Sequence, residues 1–233
     1  MNEDKILALI PAWNEEAFIR PVIEAARAHL PVLVVDDGSQ DRTPELAASV
    51  GAEVVRHEEN KGKGQALITG FKWTLAQGFD AVVTLDADGQ HDPAEIPIFI
   101  SAYQNNAGEL IIGRRDFRQM PFPNRYANPI GSWLLSLALK QRIYDNQCGY
   151  RCHTRKLLES LDLKTTGFEL EVEVVMQTVC LEMTIGWVPI RTIYGTGKIS
   201  YFHPLHDTLG FLKMVWYAYQ YRRRFLRRYQ GSS

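Results

Sequence analysis

Thr84-Leu-Asp-Ala-Asp-Gly-Gln-His-Asp-Pro93 overlaps the end of the apolar run Ala81-Val-Val-Thr-Leu85, so a short hydrophobic segment ends in two carboxylates one residue apart. The run reads as a buried strand. The acidic cluster reads as the loop at its carboxyl end, the edge where open α/β sheets hold ligands. Side chains alternate along an extended segment, which points Asp86 and Asp88 the same way, about 7 Å apart and within reach of one divalent cation. Gln90 continues the alternation and can add an oxygen ligand. Mg2+ or Mn2+ held in this way keeps its remaining positions for water and substrate phosphates, so a phosphate-bearing substrate is expected. The stretch is not a calcium loop, because its twelfth position carries no Glu; taken alone, it also fits an ordinary acidic turn.

Upstream, Lys5 to Ile10 reads as a strand, and Pro11-Ala-Trp-Asn-Glu-Glu16 as the loop into a helix running to about His29. Asn14 is the expected N-cap, with Glu15 and Glu16 in the first turn. Trp13 either stacks on a base or covers the core. Pro31 to Val35 is a second buried strand, closed by the acidic loop Asp36-Asp-Gly-Ser-Gln-Asp-Arg-Thr43 and followed by a helix from Pro44 to Val50 and a strand from Ala52 to Arg56. Asn60-Lys-Gly-Lys-Gly-Gln65 opens a helix to about Gln77, whose free amides, with Lys61 or Lys63, suit an anion. Strands alternating with helices predict a mostly parallel, doubly wound sheet flanked by helices. Right-handed crossovers place Trp13, Asp37 and Asp86 on one rim. There is no P-loop and no Gly-x-Gly-x-x-Gly after the first strand, which weakens ATPase and nicotinamide readings.

At 233 residues and 45% hydrophobic, the chain can bury a full core. A net charge of -1 argues against a general nucleic-acid binder. Cys148, Cys152 and Cys180 cannot all pair within one chain, and nothing before the first strand resembles a signal peptide, so a reducing, cytosolic setting is expected. Cys148 and Cys152 beside His153 suggest zinc, but without a second ligand pair. The longest uncharged stretch, Tyr126 to Leu139, is too short to span a bilayer.

Ile10-Pro-Ala-Trp-Asn-Glu-Glu16, Val34-Val-Asp-Asp-Gly-Ser39, Gly62-Lys-Gly64 and Leu85-Asp-Ala-Asp-Gly-Gln-His-Asp-Pro93, in that order, resemble the nucleotide-sugar-binding half of family 2 glycosyltransferases with the GT-A fold. The resemblance spans roughly residues 5 to 200. It implies that Asp37 reads the base of a nucleoside diphosphate sugar, that Pro11, Trp13 and Glu15 line the base and ribose pocket, and that Lys63 joins Asp86 at the donor. Asp86, Asp88 and Gln90 would hold the metal on the diphosphate, whose departure needs its charge neutralised.

Beyond a helix from Pro93 to about Asn105 and a strand from Glu109 to Ile112, Gly113-Arg-Arg115 and Asp145-Asn-Gln-Cys-Gly-Tyr-Arg151 resemble the polyprenyl-phosphate branch of that family, the dolichyl-phosphate mannose and glucose synthases. There Arg115, Arg125 and Arg151 would meet the lipid phosphate, as bidentate arginines suit that group, and Lys198 would reach that phosphate or the diphosphate. Lys198 lies in Gly195-Thr-Gly-Lys-Ile-Ser200, where the family's Ser and Lys order is altered. Asp145 caps a turn, orients Arg151, or serves as a base if the acceptor is a hydroxyl. Glu169 and Glu171 raise the same question, on a segment read as helical to about Met183. His91 and His203 can approach the cleft or be structural.

Ile185 to Tyr194 reads as an edge strand interrupted by Pro189. Leu209 to Tyr229 reads as an amphipathic helix rich in aromatics and arginines, suited to an anionic membrane surface or to packing on the domain. The expected organisation is one GT-A domain over 1–203, with a donor half at 5–113 and an acceptor half at 114–203, and a basic helix and tail over 204–233. The expected activity is metal-dependent, inverting transfer of a sugar of the GDP-mannose or UDP-glucose type to polyprenyl phosphate, by a peripheral protein at the cytoplasmic face of a membrane or beside a membrane-embedded partner. Transfer to a hydroxyl acceptor, or a non-catalytic nucleotide-sugar-binding module, are the alternatives.

Overall fold

A computed structural model describes residues 4–120, 124–167, 169–191, 193, 215–223 and 225. The apolar runs form the centre of the sheet. All residues of β1 (Ile6–Ala12), β2 (Val32–Asp36) and β4 (Ala81–Thr84) are buried, as strands covered on both faces must be. β3 (Glu53–Arg56) flanks β2, and the helices α1 (Ile19–Arg27), α2 (Thr43–Ser49) and α3 (Lys63–Ala76) form the crossovers. α4 (Ile96–Gln104), β5 (Leu110–Arg115), α5 (Asn124–Leu139), β6 (Arg151–Thr154), α6 (Arg155–Ser160), α7 (Leu170–Cys180) and β7 (Ile185–Ile190) complete the described elements.

The strand order is β3-β2-β1-β4-β6-β5-β7. Pairing is parallel except at β6, which runs antiparallel between β4 and β5. Ala12 lies beside Asp36, Asp36 beside Arg56, and Leu9 beside Thr84, so the loops after β1, β2, β3 and β4 leave from one edge. β6 begins at that edge, with Arg151 opposite both Thr84 and Ile112. β7 is the outer strand, where the exposed Pro189 removes no ladder bond the sheet needs.

Two helix starts differ from expectation. Asn14 does not cap α1. It adopts φ +53°, its Oδ1 accepts the Gln40 amide at 2.8 Å, and its own N–H donates to Ser39 Oγ at 2.9 Å. The residue joins the first loop to the second, so α1 begins only at Ile19, and Glu15 and Glu16 precede it. The segment after Pro93 opens as a tight turn, Pro93–Glu95, capped by Asp92 Oδ1 accepting the Ala94 amide at 3.0 Å, before α4 begins. At the other end of the chain, residues 215–223 are helical. They pack through buried Ala218 and partly buried Tyr217 and Tyr221, leaving Trp216 and Tyr219 exposed.

Candidate active site

The acid loop after β4 is braced by its own histidine. The Asp86 N–H donates to His91 Nδ1 at 3.0 Å, which fixes the proton of a neutral ring on Nε2. Tyr150 lies 5.1 Å from the His91 ring centroid, stacks on Phe99 at 4.4 Å, and donates its hydroxyl to the Asp92 carbonyl at 3.1 Å. Burial depresses the His91 pKa more than the Asp86 carboxylate raises it, so the ring stays neutral. Gly89 turns the loop at φ +75°, and Asp88 Oδ1 accepts the Gln90 amide at 3.0 Å. Asp86 and Asp88 remain half-buried at the rim, whereas Ala87 between them is buried in the turn that follows β4.

Asp86 already has a cation. Lys63 Nζ lies 2.6 Å from Asp86 Oδ1 and 2.9 Å from Glu171 Oε1. Burial pushes the Lys63 ammonium down, but Asp86 and Glu171 together hold it above the ordinary lysine range. Burial likewise raises the Asp86 carboxyl, and Lys63, with Arg115 behind it, pulls it well below the carboxylate range. Gly149 makes room for this cluster. A Cβ there would stand 3.1 Å from Glu171 Oε1 and Lys63 Nζ and 3.3 Å from Asp86 Oδ1.

These residues fit a divalent cation of a particular kind. No group of three or more His, Cys, Asp or Glu is placed to hold a metal among the described residues. Asp86 and Asp88 offer a partial, oxygen-only shell, which is the shell of an ion shared with phosphate oxygens rather than of a structural site. The ammonium on Asp86 shows that the carboxylate accepts a positive partner. Gln90 stands on the same loop, its carbonyl accepting the Ile193 amide at 3.1 Å.

The anion site expected at the amides opening α3 is corrected by the structure. The Lys61 and Gly62 amides donate to Asp37 at 3.0 and 2.8 Å, and the Gln65 amide donates to the Thr166 carbonyl at 3.0 Å. The segment through Thr166 covers Gly64, where a Cβ would meet the Gly167 carbonyl oxygen at 2.5 Å. That segment is itself held by buried Glu173, which accepts the Lys164 and Thr165 amides. Lys63, rather than the helix amides, therefore brings positive charge to the rim, and Lys61 is exposed.

Asp37 also differs from expectation. Its carboxylate is buried and accepts His57 Nδ1 at 2.7 Å in addition to the two amides. His57 is fixed in turn by Thr69 Oγ at 2.9 Å. Asp37 thus shapes the loop after β3, and a direct contact with a base would have to share its oxygens with these donors. His57 went unrecognised in the sequence; its one signal is position, as the first residue past β3 on the rim. Asp36 pairs with Arg56 at 3.2 Å. Trp13 is 50% exposed, so the indole does not seal the core and stands at the rim. Pro11 is buried within β1. Glu15, partly buried, donates its amide to Thr43 Oγ at 2.8 Å.

In the second half, Arg115 and Asp145 come together and Arg151 does not join them. Arg115 at the end of β5 donates Nε and Nη2 to Asp145 at 2.7 and 2.8 Å, a bidentate fork that also brings its charge within range of Asp86. Asp145 is fully buried and further accepts the Gln147 amide at 3.1 Å. Of the three roles open to it, Asp145 caps a turn and orients an arginine, but that arginine is Arg115. Arg151, expected at the acceptor phosphate, is 1% exposed and donates to the carbonyls of Cys148, Asn146 and Glu171 at 2.6, 3.0 and 2.7 Å. It pins the 145–150 loop from below. Arg125 is exposed on the first turn of α5. Glu171 is engaged by Lys63 and Glu169 is exposed. The buried Cys148 and Cys152 thiols are both pushed up to about 12 by burial, disfavouring the thiolates that zinc takes. Lys198, His203 and Arg224, Arg227 and Arg228 lie outside the described residues.

Residues 8–164 match the family model of glycosyl transferase family 2. The chain is 32% identical over 220 residues to a UDP-N-acetylglucosamine–dolichyl-phosphate N-acetylglucosaminyltransferase of Methanococcus voltae, covering 83% of this chain and 88% of that one. It is 31% identical over 215 residues to an undecaprenyl-phosphate mannosyltransferase of Micrococcus luteus, covering 84% and 88%. The fold is similar to that of glucosyl-3-phosphoglycerate synthase from Mycobacterium tuberculosis, whose structure was solved with Mn2+, UDP and glucosyl-3-phosphoglycerate. That likeness has a TM-score of 0.71 at 23% identity, over 94% of this chain and 80% of the other.

Proposed function

Since the chain belongs to glycosyl transferase family 2 and has the GT-A fold, we propose that its cleft moves a sugar from a nucleoside diphosphate sugar to the phosphate of a polyprenyl phosphate, with inversion at the anomeric carbon. The observation that carries this reading is the Arg115–Asp145 fork beside the acid loop. A hydroxyl acceptor needs a base, and the fully buried Asp145 carboxylate is committed to Arg115 and the Gln147 amide. A phosphate monoester has its second pKa near 6 and arrives ionised at pH 7, so it needs a positioned cation instead. Arg115 is such a cation, and a guanidinium suits a phosphate by its charge and planar fork.

In the proposed step, a phosphate oxygen of the acceptor attacks the anomeric carbon and forms the new C–O bond. The bond to the diphosphate oxygen breaks, and its electron pair leaves with the nucleoside diphosphate. Lys63, beside Asp86, places positive charge on the donor side, and Arg115 places it on the acceptor side. Asp86 and Asp88 would hold Mg2+ or Mn2+, which when bound supplies charge neutralisation to the departing diphosphate. Trp13, half exposed beside Pro11 and Glu15, would stack on the base. The two dolichyl- and undecaprenyl-phosphate transferases among the relatives favour the lipid acceptor. All three cysteines are free, in keeping with a reducing compartment and a peripheral protein at the cytoplasmic face of a membrane.

The test is a transfer assay with short-chain polyprenyl phosphate, labelled UDP- and GDP-sugars, Mg2+ or Mn2+, and EDTA and Asp88→Ala as controls. Label entering the lipid fraction, lost with EDTA and with Asp88→Ala, is expected for one donor. Metal-dependent donor turnover with no lipid product would refute the acceptor assignment.

A further inference from the structure

We propose that the outer face of α5 is the surface by which the protein docks on an anionic lipid bilayer. Helix α5 packs on the core through Leu135 and Leu139, which are buried, yet it carries a second apolar face outside. Its small and polar residues point inward: Asn128 and Ser132 are buried, Ser132 Oγ donates to Asn146 Oδ1 at 2.9 Å, and Ser136 Oγ accepts the Ile143 amide at 2.9 Å. Four of its large apolar residues point outward. Tyr126, Ile130, Trp133 and Leu137 are 59%, 57%, 60% and 57% exposed. Their spacing of four, three and four residues makes one stripe along a single helix face.

The charge around the stripe identifies what it meets. From Phe117 to Tyr144 the sequence holds Arg118, Arg125, Lys140 and Arg142 and no Asp or Glu, in a chain that holds 26 basic and 27 acidic residues overall. Arg125 stands in the first turn of α5, and Lys140 and Arg142 are exposed just past its end, so cations flank the stripe at both ends. A second copy of the same face would set these like charges against one another. An anionic headgroup layer complements them while Trp133 and Tyr126 occupy the interface, where such amphipathic rings are favoured. No helix among the described residues is long and apolar enough to cross a membrane, and this mode of attachment requires none.

The position serves the site. The inner face of α5 bonds Asn146 and Ile143, on either side of Asp145, which holds Arg115. The bilayer surface and the acceptor-binding arginine would then be separated by roughly one helix diameter, about 10 Å. The purpose of the surface thus rests on the polyprenyl-phosphate reading, whereas its existence is tested without it.

The experiment is co-sedimentation of the full chain with phosphatidylcholine vesicles, with and without phosphatidylglycerol, at low and high salt, followed by transfer assays. The wild type is expected to pellet with the anionic vesicles and to be released by salt. Ile130→Glu/Trp133→Glu should lower that partition about tenfold or more and slow transfer to vesicle-embedded acceptor alike, leaving transfer to a water-soluble short-chain acceptor unchanged. Ile130→Gln/Leu137→Gln, with matched circular dichroism, guards against misfolding and should fall in the same direction. A wild type that stays in solution, or variants that pellet like it, would overturn the proposal. A dimer that these variants dissociate without any change in vesicle binding would assign the face to a second copy instead. Absence of transfer to every acceptor would refute the proposed reaction and leave the sedimentation result standing.

Discussion

Replacing Asp145 by Asn separates a structural from a chemical role for this carboxylate. The wild-type group is fully buried and accepts Arg115 Nε at 2.7 Å, Arg115 Nη2 at 2.8 Å and the Gln147 amide at 3.1 Å. Asparagine retains one acceptor oxygen, but its NH2 must face a guanidinium whose side chain is only 15% exposed. Removing one partner of a buried pair costs about 3–5 kcal/mol, and the surviving oxygen places this case near the lower figure. For a chain of this size that is a fall in Tm of about 6–12 °C. Thermal and urea melts of Asp145→Asn, Arg115→Met and the double variant measure it. The double variant should recover at least half of the loss, giving a coupling energy of about 2 kcal/mol or more. Transfer should fall in both single variants while nucleotide-sugar binding is retained. An Asp145→Asn protein as stable as wild type, yet without transfer, would refute this account and reinstate Asp145 as a base for a hydroxyl acceptor.

Other perturbations probe other parts of the site. Lys63→Met removes the cation 2.6 Å from Asp86 Oδ1 and should raise Mn2+ affinity of the nucleotide-free protein about tenfold; calorimetry showing equal or weaker binding contradicts it. His153 is buried, and burial, then the nearby Arg151 charge, depress it to about 3 against a bond to the Val82 backbone. A folded pKa below the unfolded value of about 6.5 means that acid favours the unfolded chain. Stability is therefore full above pH 6.5 and falls by about 2 kcal/mol between pH 7 and pH 5, a loss that urea melts should find much reduced in His153→Gln. Gly38→Ala should destabilise the protein by about 2 kcal/mol or more and weaken nucleotide binding. The backbone there is at φ +73°, and a Cβ would lie 2.5 Å from the Glu59 carbonyl carbon.

β1, β2 and β4 were legible because each follows or contains an apolar run between turn signals, the signature of a strand buried on both faces, and β3 because its Val54-Val55 pair continues the alternation of strands and helices. β6 was not. Arg151-Cys-His-Thr154 carries an arginine and a histidine in four residues, and no alternation distinguishes it from a loop. It is a strand because Arg151 satisfies its charge on three carbonyls beneath the rim, and His153 remains neutral. Both are tertiary facts that no local pattern announces. α5 was legible as an uncharged stretch but not as a helix, since Pro129 and the scattered Asn and Ser obscure its period. Its polar residues do keep a helical period, on the inner face.

The same distinction governs the site. Motif spacing places a charged residue at a strand's end, and the local course of the loop then decides on which side of the backbone it emerges. For Asp86 and Asp88 the two agree: the strand ends at Thr84, and both acids emerge at the rim on either side of a buried Ala87. For Asp37 and Arg151 they diverge. Each stands within a motif that suggests ligand contact, and each is turned beneath the loop it stabilises, by His57 and two amides in one case and three carbonyls in the other. A buried charge costs several kcal/mol unless it is fully paired, so the loops wrap around these side chains and take their shape from them. The residues whose side chains stand at the rim are consequently a subset of the motif residues. Arg115 and Lys63 differ from Arg151, because each is paired to a carboxylate rather than to backbone carbonyls alone, and on the proposed reading they are the cations that meet substrate.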